Sequence, residues 1–259
     1  MDFVLVMTAA INPNGMAGLS KESVCDRERQ YMETLAFYAS EASIQRILFV
    51  ENSAWPLERL KTSVPHPEKV SWLSLDENNF PREWGKGYGE FLLMDRAVDA
   101  LASNPATAGR LIVKVTGRFP ILNIAAMLRE FAARRPLALA LDVIDHPIYD
   151  WLRLGWDGHH ARTILYAVTP DFYKRHLYGR YKEIPSRFCG AEDLMFDVWR
   201  KVRHEAGVWP RFRVEPRLSG FAGSGQLCVI TAYNYDGWMA KAKRALRQLM
   251  RRLLPFLWM

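Results

Sequence analysis

The sequence predicts an α/β protein with a mainly parallel central sheet and helices on both faces. Short, continuous apolar runs such as Phe3–Thr8 and Arg46–Glu51 are typical of strands buried on both faces. Between them, residues 26–43 carry apolar side chains at helical spacing. Strands that alternate with helices indicate βαβ units, which place neighbouring strands parallel.

The alternation continues along the chain, where the same patterns predict strands at 69–75, 110–116, 137–143 and 163–168, and helices at 87–102, 121–134, 171–178 and 191–204. An Asn-Pro-Asn-Gly turn signal at 12–15 follows the first strand. The stretch 211–230 is rich in glycine and predicts irregular structure. Neither a repeat nor a linker divides the sequence, so we expect one domain over 1–236 and a helical appendage over 237–259.

The composition of the 259 residues, 49% hydrophobic and 24% charged, excludes wholesale disorder and fibrous repeats. The net charge is +7, but six bases and no acid lie within 241–259. The preceding 240 residues carry 29 bases and 28 acids. Because nucleic-acid-binding proteins usually spread their basic residues over a folded face, this distribution argues against a nucleic-acid partner.

The cysteines and the N-terminal segment indicate a cytoplasmic protein. Three cysteines (25, 189 and 228) without a CxxC pair argue against a disulfide framework and a cysteine-based zinc site. Asp2 stands where a signal peptide would carry basic residues, and no run approaches about 18 apolar residues. We therefore expect a reducing compartment.

Cations and glycines stand at two predicted strand or helix ends. Lys86 and Gly87 lie in a Gly-Lys-Gly-Tyr-Gly-Glu segment that begins a helix, where backbone N–H groups favour an anion such as phosphate. Lys114 and Arg118 surround the end of another strand, and an arginine there can bind a diphosphate with two hydrogen bonds. The alternatives are a flexible helix entry for the glycines and a surface ion pair for Arg118.

Carboxylates mark two further positions. Asp142 and Asp145 follow a strand and could bind Mg or Mn, although Asp145 is equally suited to a turn. Glu192 and Asp193 begin a predicted amphipathic helix, where acids commonly stabilise the helix dipole. If one of them projects into a cleft, it could remove a proton from an acceptor hydroxyl.

Seven motifs occur in an order that resembles bacterial capsule and O-antigen glycosyltransferases: TAAINPNG, RERQYMETLAFYA, FVENSAWPLERL, GKGYGEFLLMDRA, KVTGRFPILN, FCGAEDLMF and PRLSGFAGSG. The resemblance covers about residues 3–230. It implies a GT-A-like fold with a nucleotide-sugar half (about 1–145) and an acceptor half (about 146–236). The implied activity is inverting transfer of a sugar from a nucleotide sugar to a lipid-linked glycan.

The resemblance also implies residue roles. Glu192 and Asp193 match the acid pair that supplies the catalytic base. The donor nucleotide and its diphosphate would contact residues at predicted strand ends and at one helix start, namely Thr8, Ala9, Glu51, Asn52, Lys86, Gly87, Lys114, Arg118 and Asp142. A DxD motif is missing, because two residues separate Asp142 from Asp145. The reaction is therefore either Mg- or Mn-dependent, with Asp142 and Asp145 as ligands, or metal-independent, with cations stabilising the leaving diphosphate.

Two other classes of function share part of these features. A non-catalytic nucleotide-binding protein would have the same α/β pattern, but a dinucleotide fingerprint does not follow the first strand. A basic nucleic-acid-binding protein would explain the pI of about 9.4, but not the near-neutral body.

The C-terminal segment predicts a basic amphipathic helix. Its apolar residues recur at helical spacing from Trp238 to Leu257, and Pro255 ends or kinks the helix before an apolar terminus. Such a helix suits an anionic membrane surface, which implies a peripheral position on the inner face of the cell membrane. The alternative is that the apolar stripe packs on the body or on another subunit; the sequence does not define the oligomeric state.

Overall fold

The computed structural model describes residues 2–13, 23–145, 151, 158–188, 190–219 and 238–253. Its seven strands form one sheet: β1 (Phe3–Ala9), β2 (Ile47–Glu51), β3 (Val70–Ser74), β4 (Leu111–Thr116), β5 (Leu139–Asp145), β6 (His159–Val168) and β7 (Val208–Trp209). The described helices are α1 (Val24–Ser40), α2 (Glu58–Ser63), α3 (Gly85–Ser103), α4 (Ile124–Ala133), α5 (Pro170–His176), α6 (Ile184–Arg187), α7 (Ala191–Val202) and α8 (Trp238–Leu253).

The sheet has the spatial order β3-β2-β1-β4-β6-β5-β7. All pairings are parallel except those of β6, which runs antiparallel to both β4 and β5. The mainly parallel α/β architecture predicted from the sequence is therefore confirmed. The strands β1 to β5 end at one edge of the sheet, which we call the carboxyl edge, and β6 begins there.

Two apolar cores cover the two faces of this sheet, as the buried runs predicted. One face packs against α1, α2 and α4 through residues such as Tyr38, Leu60 and Phe131. The other face packs against α3, α5, α6 and α7 through residues such as Phe91, Phe172 and Trp199. Side-chain caps fix two helix starts, since the hydroxyls of Ser23 and Thr169 accept from backbone N–H groups three residues later.

Several boundaries differ from the prediction. Strand β6 begins at His159, four residues before the predicted start, because His159 to Arg162 pair with the end of β5. His159 and His160 therefore lie in a strand, before the predicted strand start at 163. The predicted irregular stretch 211–230 is described only as far as 219, and the predicted apolar terminus 256–259 lies outside the described residues, as do Asn14 and Gly15 of the turn signal.

A buried carboxyl group joins α3 to the segment after α5. Asp95 accepts hydrogen bonds from the Tyr173 hydroxyl at 2.8 Å and from the Gly179 backbone N–H at 2.7 Å. Burial raises the pKa of Asp95 from 3.8 to about 6. Because the pKa of Asp95 is higher in the folded protein than in the unfolded chain, its contribution to stability is complete at pH values below the unfolded pKa. That contribution is lost as the pH rises through the folded pKa.

We expect this titration to be visible in Tyr173→Phe. The lost hydrogen bond favoured the carboxylate, so the pKa of Asp95 should rise further and the variant should be destabilised more at pH 8 than at pH 5, by about 1–2 kcal/mol. Urea unfolding across this range measures the effect. Tyr178→Phe, which removes an exposed hydrogen bond to Asp99, is the matched control and should show no such trend. A pH-independent loss in Tyr173→Phe would contradict the titration.

Candidate functional site at the carboxyl edge

The loop that leaves β1 is held by a buried carboxylate on β2. Glu51 accepts from the backbone N–H groups of Ile11 at 3.1 Å, Ser53 at 2.9 Å and Trp55 at 3.2 Å. Its side chain is fully buried, and burial raises its pKa despite these hydrogen bonds. Glu51 was predicted to line a nucleotide site, but the structure places it beneath the loop, where it holds the backbone of Ile11.

Three further side chains surround the same loop. The Arg27 guanidinium donates to the carbonyls of Ala10 and Ile11, and the Asn78 amide donates to the carbonyl of Asn12 at 2.8 Å. Arg27 Nη1, Asn52 Oδ1 and Asn78 Oδ1 are buried and have no hydrogen-bond partner among the described residues. Buried polar atoms are normally satisfied, so this group of donors and acceptors is suited to a polar ligand.

Of Arg27, Asn52 and Asn78, only Asn52 was predicted from the sequence. Arg27 and Asn78 lie within a predicted helix and a loop, where nothing in their spacing distinguishes them from surface residues. Thr8 and Ala9, also predicted at this site, are buried at the end of β1, and the Ala9 carbonyl accepts from the Asn52 N–H at 3.3 Å. Their backbones therefore anchor the loop.

Lys114 does not reach the surface. Its side chain is 0% exposed; the ammonium pairs with Glu90 on α3 and donates to the Thr163 carbonyl at 2.6 Å. Position 114 lies within β4, whose side chains alternate between faces, and this one points under α3. Lys114 was expected to face a diphosphate, and its burial against Glu90 corrects that expectation.

Arg118 follows β4 at the carboxyl edge, as predicted, but is largely buried. Its Nε donates to Gln30 of α1 at 2.8 Å, and its guanidinium lies 5.3 Å from the centroid of the Phe119 ring. This contact is a hydrogen bond to a neutral amide. Arg118 thus stands at the sheet end between α1 and the loop after β4.

The first turns of α3 and α7 touch each other at this edge. A Cβ on Gly87 would lie 2.5 Å from the backbone nitrogen of Ala191, so only glycine permits this approach. Lys86 is exposed beside the contact, while Glu192 and Asp193 are half-buried in the first turn of α7. The two first turns that meet therefore contain four predicted residues: Lys86, Gly87, Glu192 and Asp193.

The predicted metal ligands are occupied by other partners. Both carboxylate oxygens of Asp142 accept from Arg251 of α8, at 2.9 and 3.0 Å, and both side chains are buried. Asp145 lies 2.8 Å from Nδ1 of His159 across the β5–β6 pair. The described residues contain no group of three His, Cys, Asp or Glu side chains that could hold a metal ion. As arranged, Asp142 and Asp145 do not fit Mg or Mn.

Several solved structures have a fold similar to that of this chain. A protein described as a glucose-1-phosphate thymidylyltransferase from Bacillus anthracis, in complex with sucrose, superposes with a TM-score of 0.51 at 9% identity, covering 95% of each chain. The chain has a GT-A-like fold. Core-mannan synthase A from Aspergillus fumigatus, in an Mn/GDP form, gives a TM-score of 0.49 at 8% identity, covering 97% of this chain and 85% of that one.

Mouse xyloside xylosyltransferase 1 is also similar, with a TM-score of 0.44 at 14% identity over 81% of this chain and 85% of that one. No protein-family model matches the sequence, and no curated protein matches it either. At these identities the likeness concerns the fold, and the activity has to be argued from the site.

Substitutions in the Lys114–Glu90 pair test whether this buried ion pair holds α3 in place. Glu90→Met leaves a fully buried ammonium with only the Thr163 carbonyl as a described acceptor, so we expect a loss of about 3–5 kcal/mol in the free energy of unfolding. Lys114→Met should cost less, because Glu90 is 22% exposed and regains water. The double variant should be more stable than Glu90→Met.

Urea denaturation measures these differences. Glu77→Met is the matched control, since it breaks the half-exposed ion pair between Glu77 and Arg96 and should cost less than about 1 kcal/mol. Equal losses from Glu90→Met and Glu77→Met would show that the buried pair does not hold α3 in place.

Proposed function

We propose that the protein is a glycosyltransferase that moves a sugar from a nucleotide sugar to a lipid-linked glycan in bacterial surface polysaccharide biosynthesis. The observation that carries the proposal is the contact between the first turns of α3 and α7. The contact joins Gly87 to Ala191, so that the exposed Lys86 and the half-buried Glu192 and Asp193 stand in the two first turns that meet. In sheets of this kind, ligands bind beyond the carboxyl ends of the strands.

The loop after β1 supports a nucleotide partner. Its backbone is fixed by Glu51, Arg27 and Asn78. Asn52 Oδ1, Asn78 Oδ1 and Arg27 Nη1, which have no partner within the described part of the chain, offer two acceptors and one cationic donor. A nucleobase or ribose presents complementary donors and acceptors. Lys86 and Arg118 are the remaining candidates for the diphosphate, and Lys114 positions α3 instead of binding the donor.

The reaction we propose needs one base and one anion-stabilising group. Glu192 accepts the proton of an acceptor hydroxyl, whose oxygen attacks the anomeric carbon as the bond to the diphosphate breaks. The nucleoside diphosphate leaves with the bonding electron pair. Lys86 and the first backbone N–H groups of α3 stabilise the charge that develops on it. Attack opposite the leaving group inverts the anomeric centre.

Glu192→Gln tests the assignment of the base. Turnover is assayed with a panel of UDP-, GDP-, CMP- and dTDP-sugars and glycan acceptors, by release of nucleoside diphosphate (CMP for the CMP-sugars). We expect the variant to lose about 10²–10⁴ in kcat, because a positioned base contributes that much. Asp193→Asn tests the second acid of the pair, and Glu205→Gln, after the other end of α7, is the matched control.

Undiminished turnover by a folded Glu192→Gln protein would remove this residue from the role. Release of pyrophosphate from a nucleoside triphosphate and a sugar phosphate would indicate nucleotidyl transfer instead. Binding of nucleotide sugars without any product would favour the non-catalytic alternative.

We also propose that α8 holds the enzyme on the anionic inner face of the cell membrane. Leu246, Leu249 and Leu253 are 60%, 51% and 65% exposed, so these three do not pack on the described body. The segment after Asp236 carries six bases and no acid, and each base near an anionic surface contributes about 1 kcal/mol of attraction. Among the described helices, none is long and apolar enough to cross a membrane.

Flotation with liposomes tests this attachment. Replacing Leu246, Leu249 and Leu253 together by Gln should reduce partitioning onto anionic vesicles about tenfold to a hundredfold, because the apolar contact area is lost while the charge is kept. Leu122→Gln, at an exposed leucine of the body, is the matched control. Equal flotation of the triple variant and the parent, or none for the parent, would contradict membrane attachment through α8.

A further inference from the structure

Four aromatic rings form a continuous cluster at the start of α3, which we call the aromatic platform: Phe80, Trp84, Tyr88 and Tyr181. Phe80 and Trp84 are stacked with an interplanar angle of 10°, and the Tyr88 centroid lies 4.8 and 4.6 Å from theirs. Tyr181 meets Tyr88 edge to face at 4.9 Å. Phe80 is buried, whereas the other three rings are half-buried and reach the surface.

The backbone around the platform explains why the rings gather there. A Cβ on Gly89 would lie 2.9 Å from Phe80 Cζ, so this glycine lets Phe80 sit directly against α3. Trp84 precedes the helix as its N-cap residue and makes no side-chain capping bond. Its indole therefore does not cap the helix, and its described ring contacts are with Phe80 and Tyr88.

The platform borders the proposed catalytic residues. Tyr88 follows Gly87, whose backbone abuts Ala191, the residue immediately before Glu192. One cation contacts the platform, since Lys182 Nζ lies 5.8 Å from the Tyr181 centroid, and the exposed Lys86 lies two residues before Tyr88 in the chain. A ligand on the rings would have one face on aromatic carbon and its edges among hydroxyl and ammonium groups.

We propose that the aromatic platform binds a pyranose ring of the acceptor glycan and presents its hydroxyl to Glu192. This inference rests on the proposed transferase function and adds the subsite that it lacks. A pyranose has an apolar C–H face that stacks on the electron-rich face of an aromatic ring, and peripheral hydroxyls that bond to polar groups. A lipid surface would instead suit a continuous aliphatic face such as the leucines of α8.

Trp84→Ala tests the platform. Wild type and variant are screened on an array of mono- to tetrasaccharides, and the saccharide bound best is used for calorimetric titration and as acceptor. We expect the variant to lose about tenfold in affinity for that saccharide and to raise its KM similarly. The KM for the nucleotide sugar should stay within about twofold.

Two further variants serve as controls. Trp84→Phe keeps a stacking face and should recover most of the binding. Tyr178→Ala removes an exposed aromatic ring on the neighbouring segment, outside the platform, and should bind saccharides like the wild type.

The outcomes separate this inference from the proposed function. Saccharide binding that depends on Trp84, without any sugar transfer, would keep the platform and reject the transferase. Sugar transfer with an unchanged acceptor KM in Trp84→Ala would keep the transferase and reject the platform. Absence of saccharide binding by the wild type, or equal binding by both proteins, would also overturn the inference.

Discussion

The geometry of the carboxyl edge depends on one buried ion pair. Lys114 projects from β4, at the centre of the sheet, and its ammonium meets Glu90 in the second turn of α3. An unpaired charge at this depth would be very unfavourable, so the helix has to remain where its carboxylate can reach Lys114. That position in turn sets Gly87 against α7 and carries the rings of Trp84 and Tyr88 to the surface.

The contact between α3 and α7 at this edge is made by backbone atoms. Because Gly87 has no Cβ, the first turns of two helices meet, and the N-terminal ends of both dipoles lie side by side. Such a place favours negative charge. The carboxylates of α7 satisfy part of this preference in the protein itself, whereas the first turn of α3 contains no acid.

The sequence was sufficient for the parts of the fold that depend on local pattern. Continuous apolar runs predicted β1, β2, β4 and β5, and helical spacing predicted α1, α3, α4 and α7 to within a few residues. The antiparallel direction of β6 was not predictable in this way, because a buried strand has the same apolar pattern whichever way it runs. Lys86 and Gly87, and Glu192 and Asp193, were predicted at the starts of two helices, and α3 and α7 do begin there.

Features that depend on long-range pairing could not be predicted. The partner of Lys114 lies 24 residues away on another element, and the partner of Asp142 lies 109 residues away on α8. A sequence shows that a lysine or an aspartate stands at a strand end, but not whether a distant charge will reach it. Both residues were therefore interpreted as ligand-binding groups, although burial and pairing give them structural contacts in the fold.

The contact of α8 with the body is another long-range pairing that the sequence did not predict, and it fixes how the helix is rotated. An amphipathic helix usually packs its apolar side inward, yet this one inserts Arg251 toward Asp142 and the Phe212 carbonyl while three leucines point outward. The bidentate pair fixes the rotation of the helix about its axis, because both guanidinium nitrogens must face the carboxylate. With that rotation fixed, Leu246, Leu249 and Leu253 face away from the body and remain exposed. The ion pair between Arg251 on α8 and Asp142 on β5 therefore sets the direction in which the three leucines point.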